Sequence, residues 1–274
     1  MAWDPASYVA VDRYPVGAPH DDPHRRDVVA SLHATLAADG VARLPGFLRP
    51  EAVAAVAADV DRCAAGGHLE DVWGTPYLGL PDDSFPEGHP QRTSVHSLTR
   101  VLAYDLVPRD CPIRVLYEWD RLTDWIAGIV GRGALYRMDD PLGALNLTRM
   151  EEEHVQGWHY DSTDFVVSVA IRSSESGGDF ECAPSTRTDD DENYDDVARI
   201  LAGEAGASVV RYPMEPGTLM VFEGRRSLHR VSPVTGPVAR IVALLGYDTA
   251  PGTESSDLLK LVRYGRTEAL STPT

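Results

Sequence analysis

The second half of the chain alternates between short apolar runs and turn residues, and this pattern limits the fold more than any other feature. Gly and Pro separate the runs, as at Gly177-Gly178, Pro216-Gly217 and Gly236-Pro237, and one helix at about 194–201 interrupts them. The runs span 144–150, 165–171, 179–182, 208–212, 218–222, 227–232 and 239–247. Short strands punctuated in this way after a helical segment predict a sandwich or jelly roll packed on helices.

The first half is mainly helical in its pattern. Apolar residues recur at helical spacing over 27–38, 50–66 and 114–131, and Gly40 is the predicted end of the first helix. A short strand is predicted at 41–44, after an extended arm over 1–22. Residues 68–112 have no clear period, which indicates a long functional loop that forms part of a lid. We therefore predict one mainly β domain over 1–274, with helices and lid over 1–133, a jelly-roll core over 134–250 and a tail over 251–274.

The charge balance limits the partners. The chain has 42 acidic and 25 basic side chains, a net charge of −17. Such a chain repels phosphate backbones and anionic membrane surfaces, so we expect a small-molecule substrate, with neither nucleic acid nor membrane as a partner. The acidic run 189–196 is interpreted as a solvated loop, with part of a flexible lid as the alternative. No apolar run approaches the length of a membrane span.

The cysteines indicate a reducing compartment. Cys63, Cys111 and Cys182 are odd in number and widely spaced, without a C-x-x-C motif, which argues against a disulfide framework or a zinc knuckle. The first residues lack the pattern of a secretory signal. We expect a cytoplasmic protein, and we keep a homodimer as a hypothesis.

A histidine and a carboxylate two positions apart stand in the stretch G-W-H-Y-D-S. On a strand, His159 and Asp161 point to the same side. A second histidine, His229, follows a further strand pattern. Two imidazoles and one carboxylate on neighbouring strands occupy three corners of an octahedron and leave three positions open. This facial arrangement suits Fe(II) that holds a bidentate cosubstrate and O₂ together.

An arginine lies on the next apolar run. Arg240 is costly to bury there unless it meets an anion. Its planar fork fits a carboxylate with two hydrogen bonds. If 2-oxoglutarate chelates the iron through its keto-acid end, its distal carboxylate needs such a partner.

The ordered set His159-x-Asp161, His229 and Arg240 resembles the Fe(II)/2-oxoglutarate-dependent oxygenases. The resemblance implies a double-stranded β-helix core, the jelly-roll or cupin-like fold. It implies that His159, Asp161 and His229 are the iron ligands and that Arg240 binds 2-oxoglutarate. Such enzymes use O₂, release succinate and CO₂, and oxidise an unactivated C–H bond.

A narrower likeness is to the subfamily of free-amino-acid radical halogenases and their hydroxylase relatives. It implies a free amino acid or a derivative as the substrate. In the halogenases a small residue replaces the carboxylate ligand so that chloride binds the iron, whereas this chain has Asp161. The departure favours a hydroxylase. The similar motifs are Asp140-Pro-Leu-Gly-Ala-Leu-Asn146, Gly157-Trp-His-Tyr-Asp161, Gly177-Gly-Asp-Phe-Glu181, Asp191-Glu-Asn-Tyr-Asp195 and Ser227-Leu-His-Arg-Val231.

Several other polar residues are candidates for the site. Asn146 and Thr148 share a strand face and are predicted to line the cosubstrate pocket, with solvent-facing positions as the alternative. The candidates for substrate contacts are Arg92, Arg100, Asp140, Arg225 and Tyr264. Surface, turn-forming or packing roles are the alternatives for these five.

Three rival functions stay open at this point. The same iron centre also supports desaturation, cyclisation or halogenation. A cupin-like protein that binds a metal or small ligand without turnover is the second rival, although it needs no buried guanidinium at Arg240. A zinc hydrolase, the third, needs a general base beside the metal, and no motif supplies one.

Overall fold

The computed structural model describes residues 4–204 and 208–270, so the last four residues of the predicted tail lie outside the described residues. Within these ranges the helices are α1 Pro23–Asp39, α2 Pro50–Cys63, α3 Pro112–Tyr117, α4 Asp120–Ile129, α5 Tyr194–Leu201 and α6 Asp257–Tyr264. The strands are β1 Val41–Leu44, β2 His68–Gly74, β3 Val95–Leu102, β4 Tyr136–Arg137, β5 Leu145–Met150, β6 Val155–His159, β7 Val166–Arg172, β8 Ser176–Gly177, β9 Phe180–Ala183, β10 Val210–Tyr212, β11 Leu219–Phe222, β12 Leu228–Val231, β13 Val234–Thr235, β14 Arg240–Leu245 and β15 Tyr247–Asp248.

The N-terminal helices follow the sequence signals, with one difference. Asp22 caps α1 by accepting the N–H of Arg25, and Gly40 ends the helix in the left-handed region at φ 68°. The predicted single helix over 114–131 is wrong, because α3 and α4 are separate. Trp119 between them is extended, and its indole lies against Gly17. None of the helices in the described ranges is long and apolar enough to cross a bilayer.

The main strands form one curled antiparallel sheet that divides into two layers. Its order is β1-β11-β7-β14-β5-β3-β6-β12-β9-β10, and β2 pairs with the outer edge of β3. Both β5 and β6 pair with β3: Val101 lies opposite Thr148, and Ser97 lies opposite Gln156. Strand β3 therefore joins two layers of the sheet. The larger layer is β1-β11-β7-β14-β5, and the smaller layer is β6-β12-β9-β10. This is a jelly-roll core, as predicted.

The prediction of an irregular segment over 68–112 is wrong for two stretches. Strands β2 and β3 pair along their whole length, from His68 opposite Val101 to Gly74 opposite Val95. Their sequences lack apolar alternation because polar groups occupy the buried face as well: Glu70 and Thr99 are both buried. A period-2 pattern in hydrophobicity does not arise when both faces of a strand carry polar residues.

Alternation along the strands sorts the side chains of the larger layer. Leu147, Val169 and Ile241 belong to the core that packs against the helices. Met220 and Phe222 point to the other side and meet Phe180 of the smaller layer. The space between the two layers also contains polar side chains, and these form the site described next.

Candidate metal centre

An irregularity in the pairing of β6 with β12 aims the two candidate histidine ligands. His159 lies opposite His229, and the next pair along is Gln156 opposite Val231. Between these pairs β6 has one residue more than β12, which is a β-bulge. The bulge places Gln156 and His159 on the same face, where the Gln156 amide nitrogen lies 3.3 Å from Nε2 of His159.

The carboxylate reaches the same point from a loop. Strand β6 ends at His159, so the prediction that Asp161 shares its strand is wrong, although the two side chains still converge. The N–H of Asp161 donates to the carbonyl of Gly224 at 3.1 Å. A Cβ on Gly224 would lie 2.3 Å from Oδ2 of Asp161, so only glycine leaves room for the carboxylate in this position.

The three residues have the donor set of a metal site. One ligand atom of each lies within 4.8 Å of the other two. Nε2 of His229 is 3.2 Å from Oδ2 of Asp161, and Nε2 of His159 is 3.8 Å from Oδ1. Neighbouring ligands of an octahedral ion with bonds of about 2.1 Å are roughly 3 Å apart. The His229–Asp161 separation is close to this value, and the His159–Asp161 separation is somewhat longer.

Hydrogen bonds behind the rings determine which nitrogen faces the site. Nδ1 of His159 lies 2.8 Å from the carbonyl of Gly157, and Nδ1 of His229 lies 2.9 Å from that of Ser227. Carbonyl oxygens only accept, so each Nδ1 donates a proton to its carbonyl and Nε2 is the ring nitrogen left to bind a ligand. Both Nε2 atoms lie beside the carboxylate of Asp161, whose Oδ2 is buried without a hydrogen-bond partner. A cation between the two Nε2 atoms and the Asp161 carboxylate would give each of these groups a partner. The described residues therefore fit a divalent metal ion.

The electrostatics favour the protonation states that bind metal. Burial, reinforced by the charge of His229, lowers the pKa of His159 to about 4, so its ring is neutral near pH 7. Burial alone would raise the pKa of Asp161. His229, His159 and Arg263 together outweigh burial and lower that pKa to about 2. Neutral imidazole and ionised carboxylate are the forms that act as ligands.

Arg240 is a buried cation without a partner carboxylate. Its Nη1 contacts only the sulfur of Met150, at 3.7 Å, and it forms no ion pair with the residues that the structure describes. Burial lowers its pKa to about 10, opposed by the charge of Asp179. Gly178, with φ +64°, lets the backbone pass close to the side chain, because a Cβ there would lie 3.0 Å from Cδ of Arg240. An unpaired buried guanidinium fits an anionic ligand.

Arg240 also lines an open cavity of about 610 Å³. Residues 172–180 and 211–215 form most of its wall, and Val242 lies beside Arg240. None of the three candidate metal ligands contributes to this wall. The guanidinium is thus bordered by a cavity that the metal-ligating side chains do not line.

Asn146 and Thr148 point into the space between the layers. Asn146, Leu244 and Ser168 lie side by side on β5, β14 and β7. Oδ1 of Asn146 and Oγ of Ser168 are buried without hydrogen-bond partners. Tyr264 meets this row, since its hydroxyl lies 3.5 Å from Nδ2 of Asn146. The interior therefore offers unsatisfied polar atoms to a polar ligand.

Asp140 is occupied within the protein itself. Its carboxylate accepts the N–H groups of Leu142, Gly143 and Ser255, each at 2.9 Å. The ammonium of Lys260 lies 3.9 Å away. Burial would raise the pKa of Asp140, but these hydrogen bonds lower it. The structure thus places Asp140 as an anchor for the segment that carries α6.

Arg225 lies in the loop around Asp161. Its Nε donates to Asp164 at 2.7 Å, and an Nη group donates to the carbonyl of Ser162. These contacts hold the backbone that follows the candidate carboxylate ligand. The structure assigns Arg225 neighbours in this loop rather than in the interior.

The remaining two arginines have partners away from the metal ligands. Arg92 donates to the carbonyl of Phe85 at 3.1 Å in the loop between β2 and β3. Arg100 is adjacent to Thr99 on β3 and therefore points to the opposite face. It donates to the carbonyl of Gly67 at 3.2 Å.

Four residues near the centre were not predicted from the sequence. Gly224 carries a weak signal, since it belongs to a turn after an apolar run. Gln156 has none, because only the bulge brings it to His159. Arg263 is adjacent to Tyr264, a predicted candidate for substrate contacts. Whether the Arg263 side chain faces the site depends on how α6 is rotated about its axis, which the sequence does not show. Glu70 lies in a segment whose strands the hydrophobic pattern does not reveal.

One family model matches this sequence. It is described as Halogenase D and covers residues 89–258, more than half of the chain. The match includes both candidate histidine ligands, the carboxylate between them and Arg240. No curated protein matches the chain in sequence.

Several solved structures share the fold. An oxidoreductase of the 2OG-Fe(II) oxygenase family from Burkholderia pseudomallei is 18% identical, with a TM-score of 0.51 over 82% of this chain and 92% of that one. AviO1 from Streptomyces viridochromogenes Tue57 is 21% identical, with a TM-score of 0.54 over 82% and 96%. The epimerase SnoN in complex with Fe3+, alpha ketoglutarate and nogalamycin RO is 16% identical, with a TM-score of 0.55 over 90% and 96%. At these identities the likeness establishes the fold, and it confirms the predicted jelly roll.

Proposed function

This chain belongs to the halogenase D family, and we propose that it is an Fe(II)/2-oxoglutarate-dependent hydroxylase of a small polar molecule, a free amino acid or a close derivative. The observation that carries the proposal is the convergence of His159, Asp161 and His229, with Nδ1 of each histidine held by a backbone carbonyl and Nε2 facing the carboxylate. Three ligands on one side leave the other side of the ion for a cosubstrate and O₂. When bound, iron and 2-oxoglutarate supply the oxidising chemistry, in which decarboxylation to succinate and CO₂ is coupled to oxidation of a C–H bond.

The side chains have distinct roles in this proposal. The Nδ1–H groups of His159 and His229 hold the rings by donating to backbone carbonyls, so that Nε2 points at the ion. Asp161 supplies the anionic ligand, held by its own N–H and by the space above Gly224. Arg240 binds the distal carboxylate of 2-oxoglutarate. The guanidinium of Arg240 now contacts the sulfur of Met150, a weak acceptor. The carboxylate of 2-oxoglutarate would supply the two strong acceptors that the guanidinium lacks.

Asp161 decides between hydroxylation and halogenation within the family. The halogenases that this chain resembles have a small residue at this position, which leaves room for chloride. Here the carboxylate occupies the position, and Oδ2 is buried beside Nε2 of His229. A second anion beside it would meet like charge in a site of low dielectric constant. We therefore favour transfer of oxygen rather than of halogen.

We also propose a reducing, cytoplasmic environment. Cys63, Cys111 and Cys182 are all free thiols, and the last two are buried. Burial raises the pKa of Cys111 and of Cys182 to about 12, which keeps both as unreactive thiols.

The test of the function is turnover in vitro. Purified protein is supplied with Fe(II), 2-oxoglutarate, O₂ and chloride, together with the proteinogenic L-amino acids one at a time. We expect at least one amino acid to stimulate succinate formation and to gain the mass of one oxygen atom. The proposal is contradicted if the amino acid gains chlorine or loses two hydrogen atoms instead of gaining oxygen. It is also contradicted if none of the amino acids stimulates succinate formation. An Asp161→Ala variant serves as the control for iron-dependent turnover.

A further inference from the structure

A partly buried ion pair lies at the wall of the site, between β2 and the C-terminal helix. Glu70 on β2 and Arg263 on α6 face each other, with Nη1 of Arg263 3.9 Å from Oε2 of Glu70. The Arg263 side chain is 21% exposed and that of Glu70 is 11% exposed. At 3.9 Å the pair is too long for a hydrogen bond, so both groups keep free hydrogen-bonding capacity.

The strand register places Glu70 on the inner face of the sheet. Glu70 lies opposite Thr99 on β3, and the Thr99 hydroxyl donates to Oε2 of Glu70 at 3.2 Å. Thr99 alternates with Ser97 and Val101, which lie opposite Gln156 and Thr148. Gln156 contacts His159, the candidate ligand. The Glu70 carboxylate is therefore on the same face as the metal centre.

The contact of the adjacent residue places Arg263 at the same wall. Its neighbour Tyr264 reaches Asn146, in the row of unsatisfied polar atoms between the layers.

Anchoring of α6 does not require this pair. Lys260 on the same helix donates to Glu254 at 2.8 Å and lies 3.9 Å from Asp140. Beyond the helix, Arg266 lies 2.6 Å from Asp105. A long ion pair without a hydrogen bond adds little stability beside these contacts. Removing the two charges from most of their water nevertheless costs free energy. A ligand that satisfies both charges accounts for their retention.

We propose that Arg263 and Glu70 are the substrate-recognition pair, in which Arg263 binds the carboxylate of a free amino acid and Glu70, held by Thr99, binds its amine. This inference rests on the proposed function and makes its substrate class specific: both termini of the amino acid must be uncapped. The guanidinium fork matches a carboxylate with two parallel hydrogen bonds. A zwitterion placed between the two residues gives each charge an opposite neighbour, so the site remains neutral after the substrate is buried. The side chain of the amino acid is then free to point at the metal.

The experiment measures binding rather than turnover. Anaerobic protein with Fe(II) and 2-oxoglutarate is titrated by calorimetry with each proteinogenic L-amino acid, with its carboxamide and with its N-acetyl form. The variants are Arg263→Gln, Arg263→Lys and Glu70→Gln. Arg266→Gln is the matched control, because Arg266 is also 21% exposed and pairs with a carboxylate, Asp105, that is 12% exposed.

The expected results differ between the capped forms. In the wild type, the best-bound amino acid loses affinity on capping at either end. Arg263→Gln weakens binding of the free acid by about 10- to 100-fold and leaves the carboxamide within about twofold. The affinity of Arg263→Lys for the free acid lies between those of the wild type and Arg263→Gln, because lysine keeps the positive charge but lacks the planar guanidinium. Glu70→Gln weakens binding of the amino acid with a free amine and leaves binding of the N-acetyl form unchanged. Arg266→Gln changes none of the affinities by more than about twofold.

The outcomes that overturn the inference are separable from failure of the proposed function. A visible charge-transfer band of the iron–2-oxoglutarate complex is recorded for every protein before titration. If the wild type forms no band, the proposed function fails and the inference with it. If the band forms and an amino acid binds, but Arg263→Gln and Arg263→Lys weaken binding of the free acid and of the carboxamide equally, the recognition pair alone is wrong. If the band forms but no amino acid binds, the proposed substrate class and the recognition pair are both wrong.

Discussion

His159 lies directly opposite His229 across β6 and β12, and the two imidazole rings have their centroids 4.2 Å apart. The pairing holds although β6 has one residue more than β12 before the next matched pair. The resulting bulge turns β6 so that Gln156 and His159 share the inner face. Two Nε2 atoms and the Asp161 carboxylate thus meet at one point.

Removing one histidine should abolish tight iron binding. His229→Ala deletes a ligand, so we expect Fe(II) affinity, measured by anaerobic competition with a chelator, to fall by more than about 100-fold. His154→Ala is the matched control, because His154 is also a buried histidine but has no contact with the three candidate ligands. Equal iron affinity in the two variants would remove His229 from the ligand set.

A methyl group on Gly224 should displace Asp161. The added Cβ would lie 2.3 Å from Oδ2, so the carboxylate must move away from the histidines. We expect Gly224→Ala to lower Fe(II) affinity by about tenfold or more, with the fold retained by circular dichroism. Gly133→Ala is the control, since nothing lies within 4 Å of a Cβ there. Unchanged iron affinity in Gly224→Ala would show that Asp161 is not held as described.

Asp161→Gly should convert the anionic ligand position into a halide site. The variant keeps both histidines and opens the space that the carboxylate fills beside Gly224. We expect chloride to change the visible spectrum of the anaerobic iron–2-oxoglutarate complex in this variant and to leave the wild-type spectrum unchanged. Absence of a chloride effect in Asp161→Gly would argue against simple interchange with the halogenases.

The ion pair between α2 and β7 should stabilise the protein above acidic pH. Both Nη groups of Arg172 donate to Asp61, at 2.8 and 2.9 Å. This hydrogen bonding from Arg172 lowers the pKa of Asp61, opposed by burial and assisted by Arg149. Because the folded-state pKa is below the unfolded value of about 3.9, the stabilisation is present above that value and is lost as the pH falls through the folded-state pKa.

The matching measurement is urea unfolding of the wild type and Asp61→Asn. Since the Asp61 side chain is 45% exposed, we expect the free energies of unfolding to differ by about 1 kcal/mol or less at pH 7. The difference should shrink at pH values below the folded-state pKa of Asp61. A difference that is constant down to strongly acidic pH would assign the effect to packing rather than charge.

The β core and the candidate ligands could be predicted because they depend on local signals. Each apolar run after residue 144 contains a strand, since hydrophobic runs between Gly and Pro fix strand positions without knowledge of the partners. His159, Asp161, His229 and Arg240 carry a recognisable order along the chain. Their residue types alone restrict the chemistry to a metal ion and an anion.

The rest of the site depends on tertiary context. Whether Gln156 faces His159 is decided by the bulge against β12, which no local pattern shows. Glu70 and Thr99 are polar residues on a buried face, so hydrophobicity hides their strands. Arg263 is brought to the wall by the docking of α6 on β2, and that docking involves residues almost 200 positions apart. Such long-range contacts are invisible to periodicity.

The most direct test of the account is the visible spectrum of anaerobic protein titrated with 2-oxoglutarate in the presence of one equivalent of Fe(II). The account predicts a charge-transfer band that saturates in the wild type, and a concentration for half-saturation at least about tenfold higher in Arg240→Ala. If folded, iron-loaded wild-type protein forms no band, the central claim is contradicted and the chain is a metal-binding jelly roll of another kind. If Arg240→Ala saturates at the wild-type concentration, the distal carboxylate of 2-oxoglutarate binds elsewhere and the role given to Arg240 is wrong.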